Sequence, residues 1–280
     1  MPTDNAADSL GFQIPAALVT CMDGRLAAAI SLAVAAGRST LDFFQTSKFS
    51  VVRKGDNSPV TAADHRAEEL IRQQLEHLYP HDAILGEEFG VRVGTSPYQW
   101  IVDPIDGTKS FISGVPLYST LVGIVQQREC LAGVIYIPAL DEIVFAARGL
   151  GAWYSARCEP PTRCQVSSRS LAEGLFLTSQ VDTFCKRGAQ NCFDRLQKSA
   201  YITRTWGDGY GYLLVATGRA EIMVDPIANP WDLAAVQPIV EEAGGRFSDW
   251  RGNSSVFGGD GVGSNSVVYD EVMQALSDNR

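Results

Sequence analysis

Trp100-Ile101-Val102-Asp103-Pro104-Ile105-Asp106-Gly107-Thr108 reads as a buried strand running straight into two acids. Three large apolar residues lead into Asp103, and a Pro-containing dipeptide separates it from Asp106. Pro104 fixes one backbone angle and removes a donor, so the acids are held in a definite relation rather than fraying into solvent. Asp106-Gly107 has the composition of a turn, and Asp106 or Thr108 suits the cap of a following helix. The free N–H groups of such a helix start form an anion site. A structural reading, a strand ending in a capped turn, stands beside a functional one.

Outward from this segment, apolar residues recur at helical spacing over 15–46 (Leu18, Leu26, Ile30, Ala33, Val34, Leu41, Phe44) and over 61–79 (Leu70, Ile71, Leu75, Leu78). Pro80 stops the second helix. Ala83-Ile84-Leu85 and Gln99 to Val102 read as short buried strands, each leading into acids. Residues 120–125, 131–136, 142–147 and 152–154 read as successive strands of an antiparallel meander. Beyond the Pro-rich 159–163, strands are expected at 175–178 and 220–224, and helices at 193–199, 210–217, 232–242 and 271–277. The pattern is an α+β first half (1–160) and an α/β second half (161–280), joined near 155–170 and layered into one compact unit.

Bulk properties narrow the function. The chain has 280 residues, 45% hydrophobic and 20% charged, with a net charge of −9. That charge argues against nucleic-acid or anionic-membrane binding, and would repel an anionic substrate unless bound cations reverse it locally. No run approaches the roughly 18 apolar residues of a membrane span. The first ten residues carry three acids or amides and no basic run, so no signal peptide is expected and a cytoplasmic location follows. Six cysteines without a C-x-x-C pair read as reduced, mostly packed thiols. His65, His77 and His81 read as surface residues. Gly258 to Gly263 lacks the G-K-[ST] of a nucleotide cradle. Lys54 is either a loop residue near the acids or a solvated lysine.

Acids end strands or start helices at four places: Asp64, Glu87-Glu88, Asp103 with Asp106, and Asp232. Each has a structural alternative. Asp64, three residues after Thr61, fits a capping box; Glu87-Glu88 fits a solvated turn; Asp232 fits an N-cap. Taken together they suggest more. Carboxylate oxygens are the ligands Mg2+ prefers, and two such ions roughly 3.5–4 Å apart activate water and stabilise a leaving oxygen. The constellation fits metal-assisted hydrolysis of a small-molecule phosphate monoester.

Gly86-Glu87-Glu88, the stretch 100–111 and the stretch 230–245 resemble, in order and spacing, the signatures of the inositol monophosphatase family, and the resemblance covers about 15–275. It implies a layered αβαβα sandwich of the inositol monophosphatase / fructose-1,6-bisphosphatase type, a homodimer, and two or three Mg2+ ions per site. Carried over by motif, Glu87, Asp103 and the Ile105 carbonyl would hold one ion, and Asp103, Asp106 and Asp232 a second. Asp64, with Glu87 and Glu88, would lie near a third ion and its waters. The Gly107 and Thr108 amides would cradle phosphate. The Thr108 hydroxyl, with Glu87 or Asp64, would orient the attacking water.

Within that family the chain most resembles the histidinol-phosphate phosphatase branch, through Lys109-Ser110-Phe111, Glu88-Phe89-Gly90 and the stretch 206–216. Asp208 and Asp225 would then face the cationic organic half of the substrate. The bland alternative makes Asp208 an N-cap and Tyr210 and Tyr212 helix core. An inositol or sugar phosphatase of the same family, or a non-catalytic regulatory protein on this fold, are the other readings.

Overall fold

The computed structural model describes residues 11–46, 52–53 and 59–277; Lys54 lies outside them. In chain order the first elements are α1 (Ala16–Val19), α2 (Arg25–Thr40), β1 (Val52–Arg53), β2 (Pro59–Val60), α3 (Ala62–Leu78), β3 (Ala83–Gly86) and β4 (Gly90–Arg92). Then come β5 (Tyr98–Asp106), α4 (Thr108–Ile112), β6 (Ser119–Gln126), β7 (Glu129–Ile137), β8 (Glu142–Ala147), β9 (Gly151–Ala156) and β10 (Thr162–Arg163). The remainder is β11 (Leu175–Leu177), α5 (Asp182–Lys186), α6 (Gln190–Ser199), β12 (Ile202–Arg204), α7 (Asp208–Ala216), β13 (Ile222–Asp225), α8 (Pro230–Leu233), α9 (Val236–Glu242), β14 (Arg246–Ser248), β15 (Gly261–Ser264) and α10 (Tyr269–Ser277).

Two larger sheets and three helical layers alternate, as the family resemblance implies, and β1 with β2 forms a separate two-stranded ladder. The larger sheet has the order β10-β9-β8-β7-β6-β5-β3-β4, a meander from β5 to β10 with one parallel pair, β3 beside β5. Helices α2 and α3 cover one face, where Ile30, Val34, Ile71 and Leu75 meet Trp100, Val122, Val134 and Phe145. On the other face lie α7, α8 and α9, which also touch the second sheet, β12-β11-β13-β15-β14. The outer face of that sheet is closed by α5, α6 and α10 through Phe184, Phe193, Leu196, Val272 and Leu276. Among the described residues no helix is long and apolar enough to cross a membrane.

Two helices expected to be continuous are broken. The stretch 15–46 splits because Met22 and Asp23 adopt positive φ (51° and 56°) and Gly24 follows at 81°. The stretch 232–242 divides into α8 and α9 at Ala234–Ala235, and the reason is packing. Gly123 and Gly133 face each other across the β6–β7 ladder. A Cβ on Gly133 would collide with the backbone of Ala235, and one on Gly123 would lie 2.8 Å from Ala234. The paired glycines make a floor on which the helix junction rests. Of the thiols, Cys130 and Cys192 are buried, but Cys158 and Cys185 are exposed.

Asp82 pins the first helical layer to the sheet. Its carboxylate accepts from Arg25 at the start of α2 (2.8 and 3.1 Å), from Ser96, and from the Trp100 indole (2.9 Å). The Arg25 guanidinium also lies over the rings of Tyr98 and Tyr79. Burial pushes the Asp82 carboxyl up, but bonds from Arg25, Ser96 and Trp100 together hold it below the usual range. Asp82→Ala leaves the indole N–H unpaired and the buried Arg25 charge with only exposed Asp23, at 3.5 Å, and the Met22 carbonyl. It is expected to cost about 3 kcal/mol in chemical denaturation. Because the folded pKa is depressed, Asp82's contribution is complete above the ordinary carboxylate range. It is lost as pH falls through the folded value, so the gap between wild type and variant should shrink in acid.

Candidate active site

The acids gather where β5 ends. Asp103 is paired with Leu121 of β6 and Asp106 with Ser119, so three steps on one strand oppose two on the other. Strand residues alternate faces, and an odd spacing would send the two carboxylates to opposite sides. The one-residue bulge returns them to the same side, and Pro104, with no N–H to pair, is suited to it. Thr120 holds the bulge by donating to the Pro104 carbonyl at 2.9 Å. The Ile105 amide donates to Asp103 Oδ1 at 3.0 Å, and its side chain is buried with Ala63, Phe111 and Tyr118.

Gly107 turns the chain at φ 85° and caps α4 with its backbone, so neither Asp106 nor Thr108 is the cap. A Cβ at Gly107 would also lie 2.7 Å from Asp208 Oδ2. Thr108 is the first residue of α4, and its hydroxyl donates to the Ile105 carbonyl at 3.2 Å.

From the first half come Asp64 and the Glu87-Glu88 turn. Thr61 and Asp64 form the expected capping box: Asp64 Oδ2 accepts from the Thr61 amide and hydroxyl at 2.8 and 2.6 Å. Asp64 Oδ1, also buried, has no hydrogen-bond partner. Glu87-Glu88 is not the solvated turn its composition allows, since the Glu88 side chain is 3% exposed and sits 3.7 Å from His65. One residue the sequence reading missed holds this turn. Glu68 is wholly buried and accepts from the Glu88 amide (2.8 Å), the Phe89 amide (3.2 Å) and Arg72 (2.7 Å). A Cβ on Gly86 would collide with it. The i, i+4, i+8 row Asp64, Glu68, Arg72, charges on a helix face that also buries Ala67 and Ile71, was the available signal.

The second half supplies Asp232, Asp208 and Asp225. Asp232 is not an N-cap: Asn229 is, and Asp232 sits at the third helical position, accepting from the Asn229 amide at 2.7 Å. Asp208 is likewise no cap; it opens α7 at φ 55°, a conformation unfavourable for a side-chain-bearing residue. The Ser179 hydroxyl, another unforeseen residue, accepts from the Asp208 amide at 2.9 Å and donates to Asp225 at 2.6 Å. Tyr212, buried as the core reading expected, donates to the other Asp225 oxygen at 2.9 Å. Both Asp225 oxygens thus already have protein partners, and the Asp208 carboxylate, which lies against Gly107, is also acted on by Ser179 and the Lys109 charge.

Asp103, Asp106 and Asp232 bring carboxylate oxygens within 4.8 Å of one another. Burial, then the charges of Glu87, Asp106 and Asp232, push Asp103 well above the usual carboxylate range. Burial, then Asp208 and Asp232, do the same to Asp106, against hydrogen bonds from Ser119 and the Gly209 amide. Asp232 is raised to about 7, first by burial and then by Glu87, Asp225 and Asp208. Asp64 is raised to about 6, by burial and by Glu87, against its bonds to Thr61. Buried acids that repel one another, all offering oxygen, with one buried oxygen unpartnered, suit a hard divalent cation. The residues present fit such an ion.

Residues 22–279 match the model of the inositol monophosphatase family. A histidinol-phosphatase of Chlorobaculum parvum is 41% identical over 249 residues, covering 89% of this chain and 95% of that protein. One from Mycobacterium tuberculosis is 37% identical, covering 89% and 96%. The crystal structure of the extragenic suppressor protein suhB from Bartonella henselae superposes with a TM-score of 0.82 at 28% identity, covering 90% of this chain and 98% of that one.

Asp232→Asn keeps an acceptor for the Asn229 amide and removes one buried charge. Its melting temperature in chelator is expected to equal or exceed that of the wild type, while the rise on adding a divalent cation shrinks. Thermal melts with and without Mg2+ or Mn2+ read both. A carboxyl raised on folding binds protons better in the folded state, so cation-free stability rises as pH falls below about 7. Cation-dependent stabilisation fades over the same range, because protons compete for the ligands.

Proposed function

The chain belongs to the inositol monophosphatase family and is a phosphoric monoester hydrolase, and from that premise we propose that it hydrolyses histidinol phosphate with Mg2+ as its cofactor. The observation that carries the substrate is the likeness to histidinol-phosphatases over nearly their whole lengths. The geometry agrees with a cationic leaving group. Asp208 lies beside Gly107, next to Asp106, and a second acid, Asp225, backs it through Ser179. Opposite charge at the leaving side favours an amino alcohol over a neutral polyol.

Glu87, Asp103, Asp106, Asp232 and the Ile105 carbonyl would hold the Mg2+ ions, which when bound neutralise the phosphate and polarise its ester. The Ile105 carbonyl receives one bond from Thr108 and keeps a second lone pair. Because the Thr108 hydroxyl hydrogen is directed at Ile105, its oxygen is oriented to accept from the attacking water. Glu87 or Asp64 would take the water's proton as the water oxygen bonds to phosphorus and the ester P–O bond breaks, the leaving alkoxide taking a proton from solvent. The Gly107 and Thr108 amides would orient the phosphate from the start of α4. Asp208 receives the organic half. The same reading takes the enzyme as a cytoplasmic homodimer.

Purified protein should release phosphate from histidinol phosphate with a kcat/KM at least about tenfold above that for inositol 1-phosphate, a difference on the order of 1.4 kcal/mol. Comparable turnover of the inositol ester sinks the substrate assignment. Asp106→Asn should lower kcat/KM by at least about 100-fold, since a charged ligand stabilising the transition state is worth several kcal/mol. Activity that survives chelation sinks the Mg2+ reading.

A further inference from the structure

Each aspartate of the cluster has one carboxylate oxygen tied to a donor of the protein. Asp103 Oδ1 accepts from the Ile105 amide and Asp232 Oδ2 from the Asn229 amide. Two acids are tied twice through a single oxygen. Asp64 Oδ2 takes the amide and hydroxyl of Thr61. Asp106 Oδ2 takes the Ser119 hydroxyl at 2.6 Å and the Gly209 amide. A carboxylate oxygen has about two acceptor sites, so these doubly tied oxygens are saturated. In Asp64 and Asp106 only the other oxygen is left without two protein donors, and Asp64 Oδ1 is buried with none.

The tether at Asp106 is built from both halves of the chain. Ser119 is wholly buried on β6, directly across the ladder from Asp106. Gly209 lies on α7, and a Cβ there would sit 2.9 Å from Asp106 Oδ2 and collide with the Ser119 hydroxyl. A glycine therefore lets the amide close on an oxygen that already holds a hydroxyl.

Coordination chemistry gives the tethers a consequence. Mg2+ demands near-octahedral geometry at roughly 2.0–2.1 Å, while Ca2+ gathers about six to eight oxygens at longer range, often using both oxygens of a carboxylate. We propose that the tethers make the cluster select a small divalent cation over a large one, and that Ser119 is the positioning residue that sets this selectivity at Asp106. The proposal rests on the reading of the cluster as a Mg2+ site. Removing the Ser119 hydroxyl frees one acceptor site on Oδ2, allowing Asp106 to swing toward two-oxygen coordination.

The test is calorimetric titration of the whole protein, without substrate, with MgCl2 and with CaCl2. Wild type, Ser119→Ala and Thr61→Val are compared, and melts in chelator establish that each variant is folded. In Ser119→Ala, Mg2+ affinity should fall about tenfold, the scale for loss of a group that orients a metal ligand. Ca2+ affinity should hold or improve, so that the Ca2+ to Mg2+ ratio of dissociation constants drops about tenfold. Thr61→Val, which frees a site on Asp64, should shift the ratio the same way. A ratio lowered in Ser119→Ala supports the proposal, and a ratio in Ser119→Ala that is raised or unchanged within twofold overturns it, whatever Thr61→Val does. Failure of the wild type to bind Mg2+ at millimolar concentration is a different result: it overturns the Mg2+ reading and the selectivity with it.

Discussion

Carboxylates crowded at the end of β5 repel one another in an interior where an unpaired charge costs several kcal/mol to bury. Left to itself, a chain would turn such acids outward. Here the fold holds them in place with bonds from five separate places in the chain. Capping boxes orient Asp64 and Asp232, the Ile105 amide orients Asp103, and Ser119 with Gly209 orients Asp106. The strain of assembling them, visible in raised carboxyl pKa values, makes the cluster receptive to cations.

Capping here has two consequences at once. At Asp64 and Asp232 one oxygen satisfies an amide at a helix start, which is the ordinary work of a cap box. The same bond fixes the carboxylate's rotamer and leaves its second oxygen outside the cap. The structural reading of these acids thus occupies one oxygen of each group and leaves the other for the chemical reading proposed above.

The layering supplies the rest. The larger sheet brings Asp103 and Asp106; α3 brings Asp64 and, through buried Glu68, the Glu87 turn; α7 and α8 bring Asp208 and Asp232. Asp232 meets the others because the α8–α9 junction rests on Gly123 and Gly133. A larger side chain on that floor would lift α8, and Asp232 with it, away from β5. Core packing and the chemistry of the site are in this sense one problem.

The sequence by itself determined the meander and the places where acids end strands or start helices, because hydrophobic period and acid-ended strands are local signals, and the family resemblance implied the alternation of layers. Asp106-Gly107 carried its own turn, while the bulge between Asp103 and Asp106 came with the pairing of β5 to β6. What only the tertiary structure decided were contacts between distant segments. These include Glu68 under the Glu87 turn, Ser179 between Asp208 and Asp225, Ser119 and Gly209 on Asp106, and the break at Ala234–Ala235. None leaves a periodic trace: a serine on a buried strand or a glutamate on a helix reads the same whether or not it meets a partner a hundred residues away. That meeting is settled when the layers pack, since burial then makes an unbonded polar group costly.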